Sequence, residues 1–172
     1  MRQIKINSTV GNEILTGQNV KDYVRIDTDS DDNIIISMIV QARIWCENYI
    51  SRDIVPKNRT YYLDSTNGIF DLPFGPTSSI QEITIDGIAT TDFEILGLNN
   101  ETIELDRGSA ERVKVTYITE GINDYLVKQA MLQLISTYYD NRSDINTEGN
   151  NSQIEIPTST KNILSSYKAM FL

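Results

Sequence analysis

The acidic run at residues 27–32, Asp-Thr-Asp-Ser-Asp-Asp, has the oxygen-rich spacing with which a calcium-binding EF-hand loop begins. Such a loop needs glycine at its sixth position and a bidentate glutamate at its twelfth. Those positions hold Asp32 and Met38 here. The run therefore indicates a turn whose acidic side chains accept hydrogen bonds from free N–H groups at a helix start, and no metal site is predicted.

Paired carboxylates are the second pattern that could do chemistry, because glycosidases and magnesium-dependent nucleases use them. The candidates are Glu101, Glu104, Asp106 and Glu111. They alternate with apolar residues or stand in turns, where solvated charges belong. A metal-dependent hydrolase is therefore a third-ranked hypothesis, which would need magnesium or manganese binding together with nuclease activity.

The chain has few of the side chains that nucleophilic catalysis uses, since it has no histidine and a single cysteine, Cys46. The absence of histidine excludes Ser-His-Asp and Cys-His systems and histidine-ligated zinc. Cys46 stands in an apolar helical stripe, so we expect a buried and unreactive thiol. One cysteine forms no internal disulfide, which fits a reducing compartment. We predict no catalytic residue and no cofactor.

Composition limits the partners. The chain has 172 residues, 40% of them hydrophobic, and a net charge of −9. The apolar fraction is enough for a packed core. The negative charge argues against gripping nucleic acid through its phosphates, though not against DNA sliding past. Residues 1–14 lack the apolar centre of an export signal and no run is long enough to span a bilayer, so no membrane partner is expected.

The segment 15–54 predicts a short helix capped by Thr16, an acidic turn and a long helix that ends near residues 51–53. One stripe of the long helix has core spacing: Ile35, Met38, Ile39, Ala42, Trp45, Cys46 and Tyr49. A second apolar stripe, Ile36, Val40 and Ile44, lies on roughly the opposite side, with Asn33, Arg43 and Glu47 at its rim. Burial under helices of the same chain and a subunit contact explain this stripe equally well.

Residues 59–118 change to short alternating runs separated by turn signals such as Asn67-Gly68 and Asp86-Gly87. They predict an antiparallel block of about six strands, arranged as a small sandwich or a curled sheet. Pro73 and Pro76 should lie at a strand end or a sheet edge, since proline cannot donate a ladder hydrogen bond.

Helical spacing returns after Asn123, a candidate cap, and is followed by a polar loop at 141–157 that we expect to be mobile. The last segment, 158–172, predicts a helix. Its apolar residues are Ile163, Leu164, Tyr167, Met170, Phe171 and Leu172. The helix either closes a helical bundle or forms an arm that docks on a partner.

The predicted fold class is α+β, with a helical bundle formed by both ends of the chain and an inserted antiparallel, sandwich-like β block. The helical domain comprises residues 1–58 and 119–172, with 1–14 as an extension. The β domain comprises residues 59–118.

Four segments together resemble the head-tail connector, or adaptor, proteins of long-tailed double-stranded DNA bacteriophages. They are VKDYVRIDTDSDDNIIISMIVQARIWCENYISRDI at 20–54, LPFGPTSSIQEI at 72–83, VKVTYITEG at 113–121 and AMLQLISTYYDNR at 130–142. The family has a Val-Arg-Ile-Asp-like turn before an Asp-capped long helix, a Leu-Pro-x-x-Pro-x-x-Ser strand entry, a Val-Thr-Tyr strand and an aromatic-Tyr-x-Asn-Arg helix end. The chain departs from the family in residues 1–14, in the loop at 141–157 and in the last helix.

The resemblance implies a structural virion protein of the neck, assembled in the host cytoplasm. Family members form a ring beneath the portal protein, share its twelve-fold symmetry, extend the channel through which double-stranded DNA passes and present a platform to a stopper or tail-completion protein. The resemblance places the portal contacts in residues 157–172. The second stripe of the long helix is then the candidate subunit interface.

A different class of function is a carbohydrate- or host-surface-binding module carried by the β block. Such a module needs exposed aromatic side chains on one sheet face. Tyr61, Tyr62 and Phe74 are the candidates.

Overall fold

The structure is a computed structural model, and it describes residues 1–141 and 155–169. Its helices are α1 (Gly17–Val24), α2 (Asp32–Ile50), α3 (Tyr125–Asp140) and α4 (Thr158–Ser165). Its strands are β1 (Arg2–Thr9), β2 (Lys57–Thr66), β3 (Ile69–Asp71), β4 (Thr77–Ile85), β5 (Ile88–Thr90), β6 (Phe93–Leu96), β7 (Thr102–Leu105) and β8 (Ala110–Thr119). The mixed α+β class is confirmed.

The chain divides into two compact units. The β unit comprises Met1–Asn12 and Ser51–Ile122, and the helical unit comprises Glu13–Ile50 and Asn123–Leu172. The predicted bounds of the helical domain are corrected at three places, because residues 1–12, 51–58 and 119–122 belong to the β unit. Residues 1–12 belong there because β1 pairs antiparallel with β2, from Arg2 opposite Leu63 to Thr9 opposite Lys57.

The β unit contains two antiparallel sheets. One has five strands in the order β1-β2-β8-β4-β5, and the other has three in the order β3-β7-β6. Side chains of both sheets contribute to one buried apolar cluster that includes Leu63, Ile83, Ile103 and Val115. All six predicted strands are present, and β1 and β5 are additional. The two-residue turn Asp86-Gly87, with φ of 55° and 81°, connects β4 to β5 as a primed hairpin turn.

A buried polar cluster surrounds Asp53, just before β2. Its carboxylate accepts hydrogen bonds from Lys57 Nζ at 2.9 Å, from Arg59 Nη2 at 2.6 Å and from the Thr119 hydroxyl at 2.8 Å. Arg59 also lies 3.8 Å from the ring centroid of Phe74, a cation–π distance. Burial alone raises the pKa of Asp53, but the bonds from Arg59 and Lys57 outweigh it, and the pKa is lowered. The cluster therefore contains an ionised carboxylate inside the unit.

The helical unit begins with a capping box. The Thr16 hydroxyl accepts from the Asn19 backbone N–H at 3.2 Å, and the Asn19 side chain accepts from the Thr16 N–H at 3.0 Å. The cap of α3 is Asp124, one residue after the predicted Asn123, and its carboxylate accepts from the Leu126 N–H at 2.7 Å. Helix α2 contacts α1, α3 and α4, and α3 contacts α1 and α4. Within the described residues, no helix is both long enough and apolar enough to cross a membrane.

Candidate assembly surface

The second apolar stripe of α2 is at the protein surface. Ile36 is 56% exposed and Ile44 is 46% exposed, while Val40 between them is half-buried. The three side chains lie on one side of the helix because they follow one another at intervals of four residues. The core stripe faces the other way, with Ile35, Met38, Ile39, Ala42 and Cys46 buried. The second stripe is therefore not buried inside the helical unit.

The exposed polar residues on this side of α2 are all uncharged: Asn33, Ser37, Gln41 and Asn48. Asp32, four residues before Ile36, is half-buried and paired with Lys21. Charged residues make up 23% of the chain, yet α2, described throughout, has only Asp32, Arg43 and Glu47. We call the seven residues Asn33, Ile36, Ser37, Val40, Gln41, Ile44 and Asn48 the α2 face. An apolar, charge-free face on an acidic protein has the composition of a contact surface, since interface cores are depleted in charge.

Arg43 and Glu47 were predicted at the rim of the stripe, but they are not part of its exposed surface. Both side chains are buried. Arg43 Nη1 donates to Glu47 Oε2 at 2.9 Å, and Arg43 Nε donates to Glu13 Oε1 at 2.8 Å. Because the segment that carries Glu13 supplies a second carboxylate, the Arg43 guanidinium is paired inside the unit rather than hydrated.

The acidic turn before α2 connects three helices. Lys21 of α1 pairs with Asp29 at 2.6 Å and with Asp32 at 2.5 Å. Its hydrogen bond lowers the pKa of Asp29. Tyr139 of α3 donates from its hydroxyl to Asp31 Oδ2 at 2.5 Å. The turn thus orients the start of α2. Within the described residues, no group of three acidic or cysteine side chains is arranged to hold a metal ion.

The carboxyl-terminal segment is docked on its own unit through α4. Leu164 is fully buried, whereas Ile163 and Tyr167 are half-buried. Tyr167 donates from its hydroxyl to Asp124 Oδ1 at 2.5 Å, and the Ala169 N–H donates to the Ile50 carbonyl at 2.9 Å. The predicted portal contact through Leu164 is corrected, because a residue in the core of its own unit has no surface to offer. The predicted contacts through Met170, Phe171 and Leu172 lie outside the described residues.

Comparison with known proteins identifies the family. The model of the phage gp6-like head-tail connector proteins matches residues 16–104, which is more than half of the chain. This chain belongs to the phage gp6-like head-tail connector family. The matched region covers all of α1 and α2 and most of the β unit, and no curated protein matches the chain.

Solved structures share the fold of this connector. The neck of an empty gene transfer agent (GTA) particle, computed with C6 symmetry, matches with a TM-score of 0.73 and 14% identity. The virion of the native GTA particle, and its neck computed with C12 symmetry, each match with a TM-score of 0.73 and 12% identity. In all three, the match covers 99% of this chain and 97% of the other. Identity this low shows a common fold.

Family membership makes this connector a structural virion component of the head–tail junction, and the prediction that it is not an enzyme is confirmed. Its thiol agrees with that role. Cys46 is fully buried, and burial, followed by the charge of Glu47, raises its pKa to about 12. The thiolate that a nucleophile requires is therefore absent near neutral pH.

The aromatic candidates for a surface-binding module do not form one face of the connector. Tyr61 is buried in the core of the β unit. Tyr62, the next residue on β2, projects to the opposite side of the sheet. Phe74 lies under the guanidinium of Arg59. The three rings have separate surroundings, so the geometry gives the carbohydrate-binding alternative no support.

Two features of the connector escaped the sequence interpretation. β1 was signalled by the alternation of Ile4 and Ile6 with polar residues, but its polar composition resembles that of an unstructured extension. The burial of Arg43 depends on Glu13, thirty residues away, and no periodicity links the two.

Proposed function

We propose that this connector forms the adaptor ring between the portal and the tail or stopper, with copies arranged side by side around the DNA channel. The observation that carries the proposal is the exposed, charge-free α2 face in a chain with a net charge of −9. Family membership supports it. The fold shared with a particle neck computed with C12 symmetry fits a twelve-fold ring.

The α2 face is the proposed subunit interface, centred on Ile36, Val40 and Ile44. Full burial of one isoleucine side chain is worth about 1.5–3 kcal/mol, and Ile36 and Ile44 are each about half exposed. Covering both therefore gains roughly 1.5–3 kcal/mol per contact. Association costs about 4–15 kcal/mol in lost translational and rotational freedom. The face alone therefore does not hold free copies together, and we infer that the chain is monomeric until the portal organises it.

Portal docking is assigned to the carboxyl-terminal segment, with Leu164 excluded. Ile163 and Tyr167 are half-buried and retain surface for a partner. Met170, Phe171 and Leu172 complete the proposed contact. The opposite end of the ring presents a platform to a stopper or tail-completion protein.

The channel function follows from charge. A ring of acidic copies repels phosphates, so double-stranded DNA passes without being gripped. In this proposal the helical unit is the bundle that carries the α2 face and the portal contact, and the β unit is sandwich-like. Rings form in the host cytoplasm and remain in the virion neck.

The test mixes the purified chain with the cognate portal assembly and examines the product by electron microscopy. We expect a ring of this chain stacked coaxially on the portal. A variant lacking residues 170–172 should bind the portal more weakly, with the same melting temperature as the full chain. If the portal is intact and the chain is folded but no chain binds the portal, the adaptor role is refuted.

A further inference from the structure

The two edges of the five-stranded sheet differ in a way that makes them complementary. β1 forms one edge and β5 forms the other. All eight residues of β1 are exposed, so this strand extends past the core of its unit. Within the part of the chain that the structure describes, no strand pairs with the outer side of either edge. A long open edge of this kind is a template for pairing with another chain.

The backbone groups available at each edge follow from the ladder. The Asp64 N–H donates to the Met1 carbonyl at 3.1 Å, so Met1 and Asp64 form a hydrogen-bonded pair. Since such pairs alternate in antiparallel ladders, Gln3 and Lys5 direct their backbone groups to β2, whereas Arg2, Ile4 and Ile6 direct theirs to the open side.

The same alternation applies to β5. Ile85 and Ile88 close the two-residue Asp86-Gly87 turn and form a hydrogen-bonded pair. Ala89 therefore directs its N–H and C=O to the open side. Both edges thus present unpaired backbone donors and acceptors.

The exposed apolar side chains at the two edges lie on the same side of the sheet. Ile4 stands opposite Tyr61 on β2, and Ile88 stands opposite Ile85 on β4. Tyr61 and Ile85 belong to the buried cluster, so both edge isoleucines are on its side of the sheet. Yet Ile88 is 74% exposed and Ile4 is 39% exposed. Placing one edge beside the other would join these side chains across the new strand pair.

The charges of the two edges are opposite. β1 contains Arg2 and Lys5 and no acidic residue, in a chain whose net charge is −9. The residues that line a concave surface beside β5 include Asp86, Asp92, Asp106 and Arg107. Asp86 is paired with Arg112 of its own unit, which leaves the exposed carboxylates of Asp92 and Asp106 against the single cation of Arg107. The β5 edge is therefore acidic.

We propose that β1 of one copy pairs with β5 of the next copy, so that the five-stranded sheets of neighbouring copies join edge to edge. This inference rests on the proposed ring. The contact is heterologous, which is the type that closes by rotation into a ring. A β1–β1 contact would be isologous and would place Arg2 and Lys5 of both copies together, so like charges disfavour it.

Charge reversal at each edge gives the first part of the test. Variant A has Arg2→Glu and Lys5→Glu, and variant B has Asp92→Lys and Asp106→Lys. Each alone places like charges at every contact, so ring occupancy on the portal should fall about tenfold or more. An equimolar mixture of A and B restores opposite charges at every contact of an alternating ring, and so does the chain that carries all four changes.

Cross-linking gives the second part. The chain with Ile4→Cys and Ile88→Cys, on a Cys46→Ser background, is oxidised on the portal and run on a denaturing gel. Edge pairing yields a ladder of covalent multimers, whereas each single-cysteine chain yields none. If Ile4 lies out of register with Ile88, Ile6→Cys takes its place.

The outcomes separate the two proposals. Edge pairing would be refuted if the wild-type chain forms rings on the portal, variants A and B form them with the same occupancy, and neither cysteine pair yields a ladder. The adaptor ring would then still stand. A covalent dimer from Ile4→Cys alone would indicate the isologous β1–β1 contact instead. Wild-type chain that never forms rings on the portal would refute both.

Discussion

The hydroxyl of Tyr167 donates a hydrogen bond to Asp124 Oδ1 at 2.5 Å, and the same carboxylate caps α3 through the Leu126 N–H. One side chain thus connects the carboxyl-terminal segment to the start of another helix. The bond from Tyr167, followed by the one from Leu126, lowers the pKa of Asp124. The same bond, followed by desolvation, raises the pKa of Tyr167 to about 12.

Acid should loosen the carboxyl-terminal segment before the whole unit unfolds. A carboxyl group whose folded pKa is depressed stabilises the folded state above its unfolded pKa, about 3.9 for Asp, and loses that contribution as pH falls through the folded pKa. The protection factors of the α4 amides, which are corrected for the intrinsic pH dependence of exchange, should therefore fall below about pH 4. Tyr167→Phe should show the lower protection already at neutral pH. Equal protection factors in both chains at every pH would show that this bond does not retain the segment.

Val40→Asp should block ring assembly on the portal while the monomer stays folded. A new carboxylate in the middle of the α2 face remains hydrated in the monomer but would be buried without a partner in the contact. Sedimentation and electron microscopy report assembly, and thermal melting reports the fold. The matched control is Asn67→Asp, which adds the same charge in a β-unit turn and keeps the acceptor for the Ile69 N–H. Loss of the fold in Val40→Asp would mean that the stripe is core.

Leu164→Ala should destabilise the protein by about 2–5 kcal/mol, because it leaves a cavity where a fully buried side chain was. Denaturant unfolding measures the loss. Ile163→Ala, one residue earlier on α4 and half-buried, should cost less and should weaken portal binding instead. The reverse ranking of the two stabilities would contradict the assignment of Leu164 to the core.

Asp53→Asn should cost roughly 3–5 kcal/mol at neutral pH, since it removes the charge that faces Lys57 and Arg59 inside the β unit. The folded pKa of Asp53 is lowered, so its contribution is present above about pH 4 and is lost as pH falls through the folded pKa. The stability of the wild type should therefore fall on acidification more steeply than that of the variant. Asp71→Asn, at an exposed acceptor for Thr102, serves as the control with near-normal stability. Parallel acid profiles for wild type and Asp53→Asn would contradict this account.

Periodicity predicted the elements that bury a regular stripe. The core positions of α2, from Ile35 to Cys46, and the six predicted strands have apolar residues at the spacing that their geometry demands. β5 was missed because Ile88 is its only large apolar residue, so no alternation is visible. β1 was missed because only Ile4 and Ile6 mark its alternation, and its pairing with β2 cannot be read from its own composition.

The candidate interface also shows that contacts with distant parts of the chain could not be predicted from periodicity. The sequence identified Ile36, Val40 and Ile44 as a second stripe, since spacing alone defines a helix face. It left open whether the stripe was covered, because exposure depends on what packs from distant parts of the chain. For the same reason it placed Arg43 at the rim of the stripe and Leu164 among the candidate portal contacts, whereas Arg43 is paired with Glu13 and α4 packs against α3.

The stacked rings of Trp45 and Tyr49 provide an intrinsic fluorescence signal. The Tyr49 ring is stacked on that of Trp45, with centroids 5.1 Å apart and an interplanar angle of 11°, and the ammonium of Lys168 lies 4.2 Å from the Tyr49 centroid. Trp45 is the only tryptophan in the chain, so all indole emission comes from this place. Departure of the terminal segment removes a cation from the stacked pair. The emission of the unlabelled chain should therefore register undocking of the segment as a step separate from global unfolding.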